Sequence, residues 1–303
     1  MKETFYSHGK LLITAEYVVL DGALALAIPT KYGQFLEVEA NDSSVISWTS
    51  YTNNRSVWFK AEFNLHNSQI TCNQENDVAK NIIKILEAAK TLNPDFLKSD
   101  NGFIITTQLE FAQNWGLGSS STLLNNVANW AKVDAFKLSN LTFGGSGYDI
   151  ACAQHNTAIF YNINNLKPNI TPIHFNPSFK EHLYFIHLNE KQNSRDGITH
   201  YKAQRFNLDD TISSINAITE TLSTTSNFKT FCELLHLHET IISNITKQET
   251  VKSKLFSDFN GSIKSLGAWG GDFVLVASKE NPISYFKNKG FETVLTWNEM
   301  VLE

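Results

Sequence analysis

Cysteine is scarce in this chain: Cys72, Cys152 and Cys232 stand far apart, with no CxxC pair and no metal-ligand spacing. That excludes a disulfide framework and a finger-type zinc site, and it points to free, mostly buried thiols in a reducing compartment. Basic runs are missing as well. With a net charge of -5 and no Lys/Arg stripe, a nucleic acid or an anionic membrane surface is excluded as the main partner. No apolar run approaches the length of a membrane span, and Met1-Lys2-Glu3-Thr4-Phe5 lacks the apolar stretch of a secretion signal, so the cytoplasm is the expected compartment. The sequence has no internal repeat, no low-complexity tract and no Gly-x-Ser-x-Gly elbow of a hydrolase.

What remains is the composition of a globular protein, long enough at 303 residues for one large or two medium domains. Leu11–Ile13 and Tyr17–Ile28 read as β-rich, interrupted by a tight turn at Asp21-Gly22, and residues 33–70 read as further strands. From Asp77 the period changes: Val78, Ile82, Ile85, Leu86 and Ala89 recur at helical spacing until Asn93-Pro94 ends the pattern. Phe103–Leu109 is strand-like, and a helix carrying Leu123, Leu124, Val127 and Ala131 follows Ser121. The Asn- and Pro-rich stretch Asn162–Pro177 reads as a domain connection, dividing the chain into 1–172 and 173–303. Beyond it come a strand at Leu183–Leu188, amphipathic helices at Asp209–Leu222, Phe228–Ile245 and Val251–Phe259, a strand at Phe273–Ala277, and a closing helix and strand over 283–297. Mixed elements with helices grouped between strands give an α+β fold in two halves.

Three glycine-rich segments carry the chemistry. Gly116-Leu117-Gly118-Ser119-Ser120-Ser121 lies at a helix start, where bent backbone can aim several N–H groups into one concavity beside the positive end of the helix. Serine hydroxyls there can add hydrogen bonds or reach a magnesium ion. It is neither a Walker loop nor a dinucleotide fingerprint, because Gly-Lys-Ser/Thr and the third glycine are both missing; a plain serine N-cap is the alternative. The second segment, Gly144-Gly145-Ser146-Gly147-Tyr148-Asp149, offers a carboxylate that takes a proton from a substrate hydroxyl, helps hold magnesium, or caps the following helix. The third, Gly267-Ala268-Trp269-Gly270-Gly271-Asp272, precedes an apolar strand and allows another backbone to approach closely.

Taken in order, these segments resemble the GHMP kinase superfamily over nearly the whole chain. The first family motif looks like Gly9-Lys10-Leu11-Leu12-Ile13-Thr14-Ala15-Glu16-Tyr17-Val18-Val19-Leu20-Asp21-Gly22, the second like Gly116–Ser121, and the third like Lys264-Ser265-Leu266-Gly267-Ala268-Trp269-Gly270-Gly271-Asp272. The wording is similar to the mevalonate-pathway branch, phosphomevalonate kinases in particular. The resemblance implies a two-domain fold, with an N-terminal α/β domain like ribosomal protein S5 domain 2 and a C-terminal ferredoxin-like domain. It also implies ATP and Mg2+, and a small-molecule acceptor of the mevalonate or phosphomevalonate class, handled by a monomer or homodimer.

By the same resemblance, Gly116, Leu117, Gly118, Ser119, Ser120 and Ser121 hold the nucleotide phosphates, with Ser119 or Ser120, Ser120 first, near the metal. Asp149 orients or deprotonates the acceptor, and Lys10 stabilises the transferred group. Glu16, Ser194, Arg195, Gly267, Ala268, Gly270 and Gly271 shape the acceptor side. His8 stands where the family has proline, and Trp269 where it has glycine. The segment before Gly144 is short, and no counterpart of the family's magnesium-assisting glutamate is found there. A diphosphomevalonate decarboxylase-like enzyme and a non-catalytic nucleotide- or metabolite-binding homologue stay open.

The histidines offer no rival centre. His236 and His238 are two apart on a helix and do not share a face as zinc ligands would. His155 and His200 are isolated, and Trp48, Trp58 and Trp130 are expected in the core or on strand faces.

Overall fold

A computed structural model describes residues 2–66, 69–98, 101–165, 167–190, 194–203 and 208–303. Two compact units share the chain by turns. The first comprises Met1–Gly9, Tyr32–Gln113 and Gly118–Gln154, the second Lys10–Lys31, Asn114–Leu117 and His155–Glu303.

The elements run β1 (Lys2–Leu12), β2 (Ala25–Ala40), β3 (Val45–Tyr51), β4 (Val57–His66), β5 (Gln69–Cys72), α1 (Asp77–Leu92) and β6 (Phe103–Leu109). Next come α2 (Ser119–Ala131), α3 (Ala135–Thr142), α4 (Tyr148–Ala153), β7 (Ile159–Asn164), β8 (Lys167–Pro172), β9 (Leu183–His187) and α5 (Ser194–Ala203). The chain closes with α6 (Asp209–Thr224), α7 (Phe228–Thr246), α8 (Val251–Leu255), β10 (Ser262–Ser265), β11 (Phe273–Ala277), α9 (Ile283–Asn288), β12 (Val294–Thr296) and α10 (Trp297–Met300).

In the first unit β3 pairs antiparallel with β4 and parallel with β6, while the later half of β2 pairs antiparallel with β6. Alternation sets the inward face: Ile46, Trp48 and Ser50 of β3 are buried and their neighbours are not. Helix α1 starts where the Asn76 side chain accepts from the Ala79 amide and buries Ala79, Ile82, Ile85, Leu86 and Ala89 against the sheet. Each such Ile or Leu contributes about 1.5–3 kcal/mol of burial. Helix α2 buries Leu124, Val127, Ala128 and Ala131 in the same core.

Helix α2 also buries polar residues, and each finds a partner, as burial demands. Thr122 donates to Gln34 Oε1 at 2.6 Å, Asn126 donates to the Gln34 carbonyl at 2.8 Å, and Ser7 donates to Asn126 at 2.7 Å. Asn125 donates to Ser7 at 2.9 Å and accepts from Gln154 at 3.1 Å, just beyond the end of α4.

In the second unit β10, β11, β9 and β12 form an antiparallel sheet in that order. Every residue of β9 and β11 is buried, which accounts for their unbroken apolar runs. The early half of β2 pairs with β7 through Ala25, Leu26 and Ala27, and β7 pairs with β8. Thr219 of α6 donates to Thr14 at 2.8 Å, and the Leu24 amide donates to Asn216 at 2.7 Å.

Four sequence expectations change here. Val18–Asp21 is a turn of 3-10 helix ending at Gly22, not a strand, because the Leu20 and Gly22 amides bond back to the Tyr17 and Val19 carbonyls three residues earlier. The stretch 162–177 is not a bare connection, since β7 and β8 pair across it. Helix α8 stops at Leu255, short of Phe259, and α3 and α5 form where no helix was expected. The fold is α+β. Among the described residues no helix is long and apolar enough to cross a membrane, and all three cysteines are free.

Candidate functional site

Parts of the three stretches that resemble the family motifs meet within the second unit, whereas the glycine-rich segment Gly144–Asp149 belongs to the first. The Lys10 amide donates to the Leu117 carbonyl at 3.0 Å, and its ammonium donates to the Gly116 carbonyl at 2.9 Å. The third motif is the hairpin loop between β10 and β11, closed by a bond from the Leu266 amide to the Phe273 carbonyl at 3.1 Å. Gly267 lies in this loop at φ 73°, and a side chain begun there would come within 4.0 Å of the Lys10 ammonium. Trp269 and Ala268 are buried, and the Trp269 amide donates to the Tyr17 hydroxyl at 3.2 Å. Asp272 is itself left-handed at φ 53° and lies against Gly116. Gly116 adopts φ 67°, and a Cβ there would run into the Asp272 carboxylate. Both facts demand glycine at 116. The sequence placed Asp272 in a motif without a role; this contact gives it one.

In the first unit, α2 begins directly after Gly118, which sits at φ 88° and supplies no side-chain cap. The serine N-cap alternative is therefore not what forms. Ser121 turns its hydroxyl back to the Gly118 carbonyl at 2.8 Å, and the Thr122 amide closes the first helical bond to the same carbonyl. The amides of Ser119, Ser120 and Ser121 thus belong to the uncapped first turn, where an anion is favoured by the helix dipole. Asp149 is not the cap of α4 either: Gly147 is. Asp149 lies in the first turn, half-buried, and accepts from the Ile150 amide at 3.0 Å. Ser194 and Arg195 open α5, but their side chains lie outside the described part of the structure.

Glu16 had been expected on the acceptor side. It is fully buried and pairs with the equally buried Lys264 of β10. The residues on either side of it, Ala15 at φ 69° and Tyr17 at φ 64°, are left-handed, and this backbone accompanies the inward turn of the carboxylate. Burial pushes the Glu16 carboxyl up, while the Lys264 ammonium and the backbone amides of Glu16 and Gly267 favour its ionised form. His238 of α7 lies 3.3 Å from Glu16, yet its Nε2 accepts from the Ala15 amide at 2.9 Å. An accepting nitrogen carries no proton, so this is a neutral imidazole and not an ion pair. Burial, then Lys264, holds it well below the ordinary histidine range.

Glu239, next along α7, is pushed up to about 8, mainly by burial; Glu16 adds to the rise, while Lys264 and Ser265 oppose it. Its carboxyl takes the Ser265 amide at 3.1 Å and meets the Ser265 hydroxyl at 3.3 Å. Sequence reasoning assigned Lys264 and Glu239 no role. The available signal was a lysine between Ile263 and Leu266 in a buried strand, which must bring a partner with it.

The chain has the GHMP kinase fold. The mevalonate kinase of Methanococcus jannaschii is similar over 100% of this chain and 99% of its own, with a TM-score of 0.69 at 14% identity. The phosphomevalonate kinase of Streptococcus pneumoniae, in complex with phosphomevalonate and AMPPNP, is similar over 97% and 99%, with a TM-score of 0.69 at 16% identity. The galactokinase of Lactococcus lactis, complexed with galactose, is similar over 99% and 93%, with a TM-score of 0.71 at 14% identity. No protein-family model matches the chain, and no curated protein matches it by sequence.

Proposed function

We propose that this protein transfers the terminal phosphoryl group of ATP to a small acceptor of the mevalonate or phosphomevalonate class. The observation that carries the reading is the meeting of Lys10, Gly116 and Gly267, one residue from each motif, around a single ammonium group. The uncapped first turn of α2 supports a phosphate-binding role for Gly116 to Ser121, since its amides suit an anion. Phosphoryl transfer asks mainly for positioning and electrostatic stabilisation, which amides and one lysine supply.

Lys10 would stabilise charge on the transferred group. Asp149 would orient the acceptor or take its hydroxyl proton, a need that an alcohol has and an ionised phosphate does not. Ser194 and Arg195 are proposed on the acceptor side, Arg195 as a bidentate partner for a carboxylate or phosphate. Among the described residues no group of three or more His, Cys, Asp or Glu gathers as metal ligands. Magnesium would be held by the nucleotide phosphates, with Ser119 or Ser120 as a protein ligand.

The deciding assay is ADP formation from Mg-ATP against mevalonate, phosphomevalonate, diphosphomevalonate, homoserine and galactose. Turnover with one acceptor of the first two supports the reading. Carbon dioxide release with diphosphomevalonate would replace it by the decarboxylase, and silence on every acceptor with ATP bound would replace it by a binding protein. Asp149→Asn should lower transfer about 100-fold or more while ATP binding is kept; unchanged turnover would remove Asp149 from the mechanism.

A further inference from the structure

The largest group of buried titratable side chains outside the proposed chemistry is Glu16, Lys264, His238 and Glu239, each no more than 2% exposed. It contains one lysine and two carboxyls. Leaving a second carboxylate unpaired in such a place costs several kcal/mol, and His238 is already neutral because it accepts from Ala15. The balanced arrangement is one ion pair, Glu16 with Lys264, beside a proton-bearing Glu239 that hydrogen-bonds Ser265. Lys264 and Ser265 are the last two residues of β10, and the loop carrying Gly267 begins immediately beyond them. The Gly267 backbone also favours the ionised form of Glu16, and a side chain begun at Gly267 would come within 4.0 Å of the Lys10 ammonium. Glu16 thus grips, through Lys264, the strand end from which the loop springs, four residues after the strand that bears Lys10.

We propose that Glu16 and Lys264 are positioning residues: their buried pair fixes Gly267 beside the Lys10 ammonium. The inference rests on the kinase reading for the role of Lys10, but the placement of the loop does not depend on it. A merely structural pair and a positioning pair part company when both charges are removed together. Replacing a buried ion pair by apolar residues of similar size commonly preserves stability, whereas removing one partner does not.

The test is the double variant Glu16→Leu/Lys264→Met beside Lys264→Met alone. The single variant should melt well below the wild type, and the double should regain much of that loss. Its kcat should nonetheless stay about 100-fold down, the cost of a small misplacement of a reacting group, with the KM for ATP changed far less. Quenching of Trp269 by acrylamide, read as the difference from a Trp269→Phe version of each protein, should rise in the double variant as the loop shifts. Wild-type kcat or wild-type quenching in the stable double variant would overturn the proposal. Should the double variant not fold, Glu16→Gln is judged by the same two readouts. A wild type without turnover on any acceptor defeats the kinase reading, and Trp269 quenching alone then decides whether the pair holds the loop.

Discussion

Burial keeps a proton on Glu239 up to about pH 8, whereas its neighbour Glu16 faces the Lys264 ammonium. The consequence for stability has a definite sign. The folded value stands above the ordinary 4.5, so the folded protein binds this proton more tightly than the unfolded chain does. The contribution is complete below about pH 4.5 and drains away as the pH rises through 8. Glu239→Gln mimics the protonated carboxyl, accepting from the Ser265 amide and donating to its hydroxyl, and has no proton to lose. Melting curves from pH 5 to pH 9 should show the variant gaining on the wild type as the pH climbs. A constant gap across that range would mean that Glu239 is ionised throughout. Glu239 escaped the sequence reading because a glutamate on an amphipathic helix looks solvated; only the packing of α7 on β10 buries it.

At the scale of elements, the turn into α2 is held by backbone shape and by what lies against it. Gly116→Ala should lose about 1–2 kcal/mol for the left-handed conformation alone and more from the collision with Asp272. Thermal melting and ATP titration check this: the melting point should fall and nucleotide affinity should weaken together. An alanine variant with wild-type values in both would show that the loop has room to move. The glycines of this turn, the helix behind it and the strand at Phe273–Ala277 were legible because periodicity and punctuation are local signals. The pairing of β7 with β8 was not, since Asn and Pro favour turns and their strand is stabilised only by its neighbour. Nor did the sequence reveal that Glu16 turns inward, because its partner Lys264 lies 248 residues away.

For the whole molecule, the decisive fact is that each unit is assembled from separated stretches of chain. The second unit draws Ile13, Ala15, Leu26 and Ile28, all fully buried, from the first tenth of the sequence. A fragment of residues 155–303 lacks them, along with β2, one of the two strands that β7 pairs with. It should show no cooperative thermal transition, whereas the full chain should; a sharp transition in the fragment would show that residues 10–31 are dispensable. The same path bears on how the protein is made. Thr30 bridges to Val301, and the Leu302 amide bonds the Pro29 carbonyl. At a synthesis rate of about 5–20 residues per second, residues 29 and 30 wait roughly fifteen to fifty seconds for those partners to leave the ribosome. Through that interval Pro29 and Thr30 lack these partners, so this part of the second unit closes only after residues 301 and 302 have emerged, and a chaperone that shields residues 10–31 should raise the yield of folded protein.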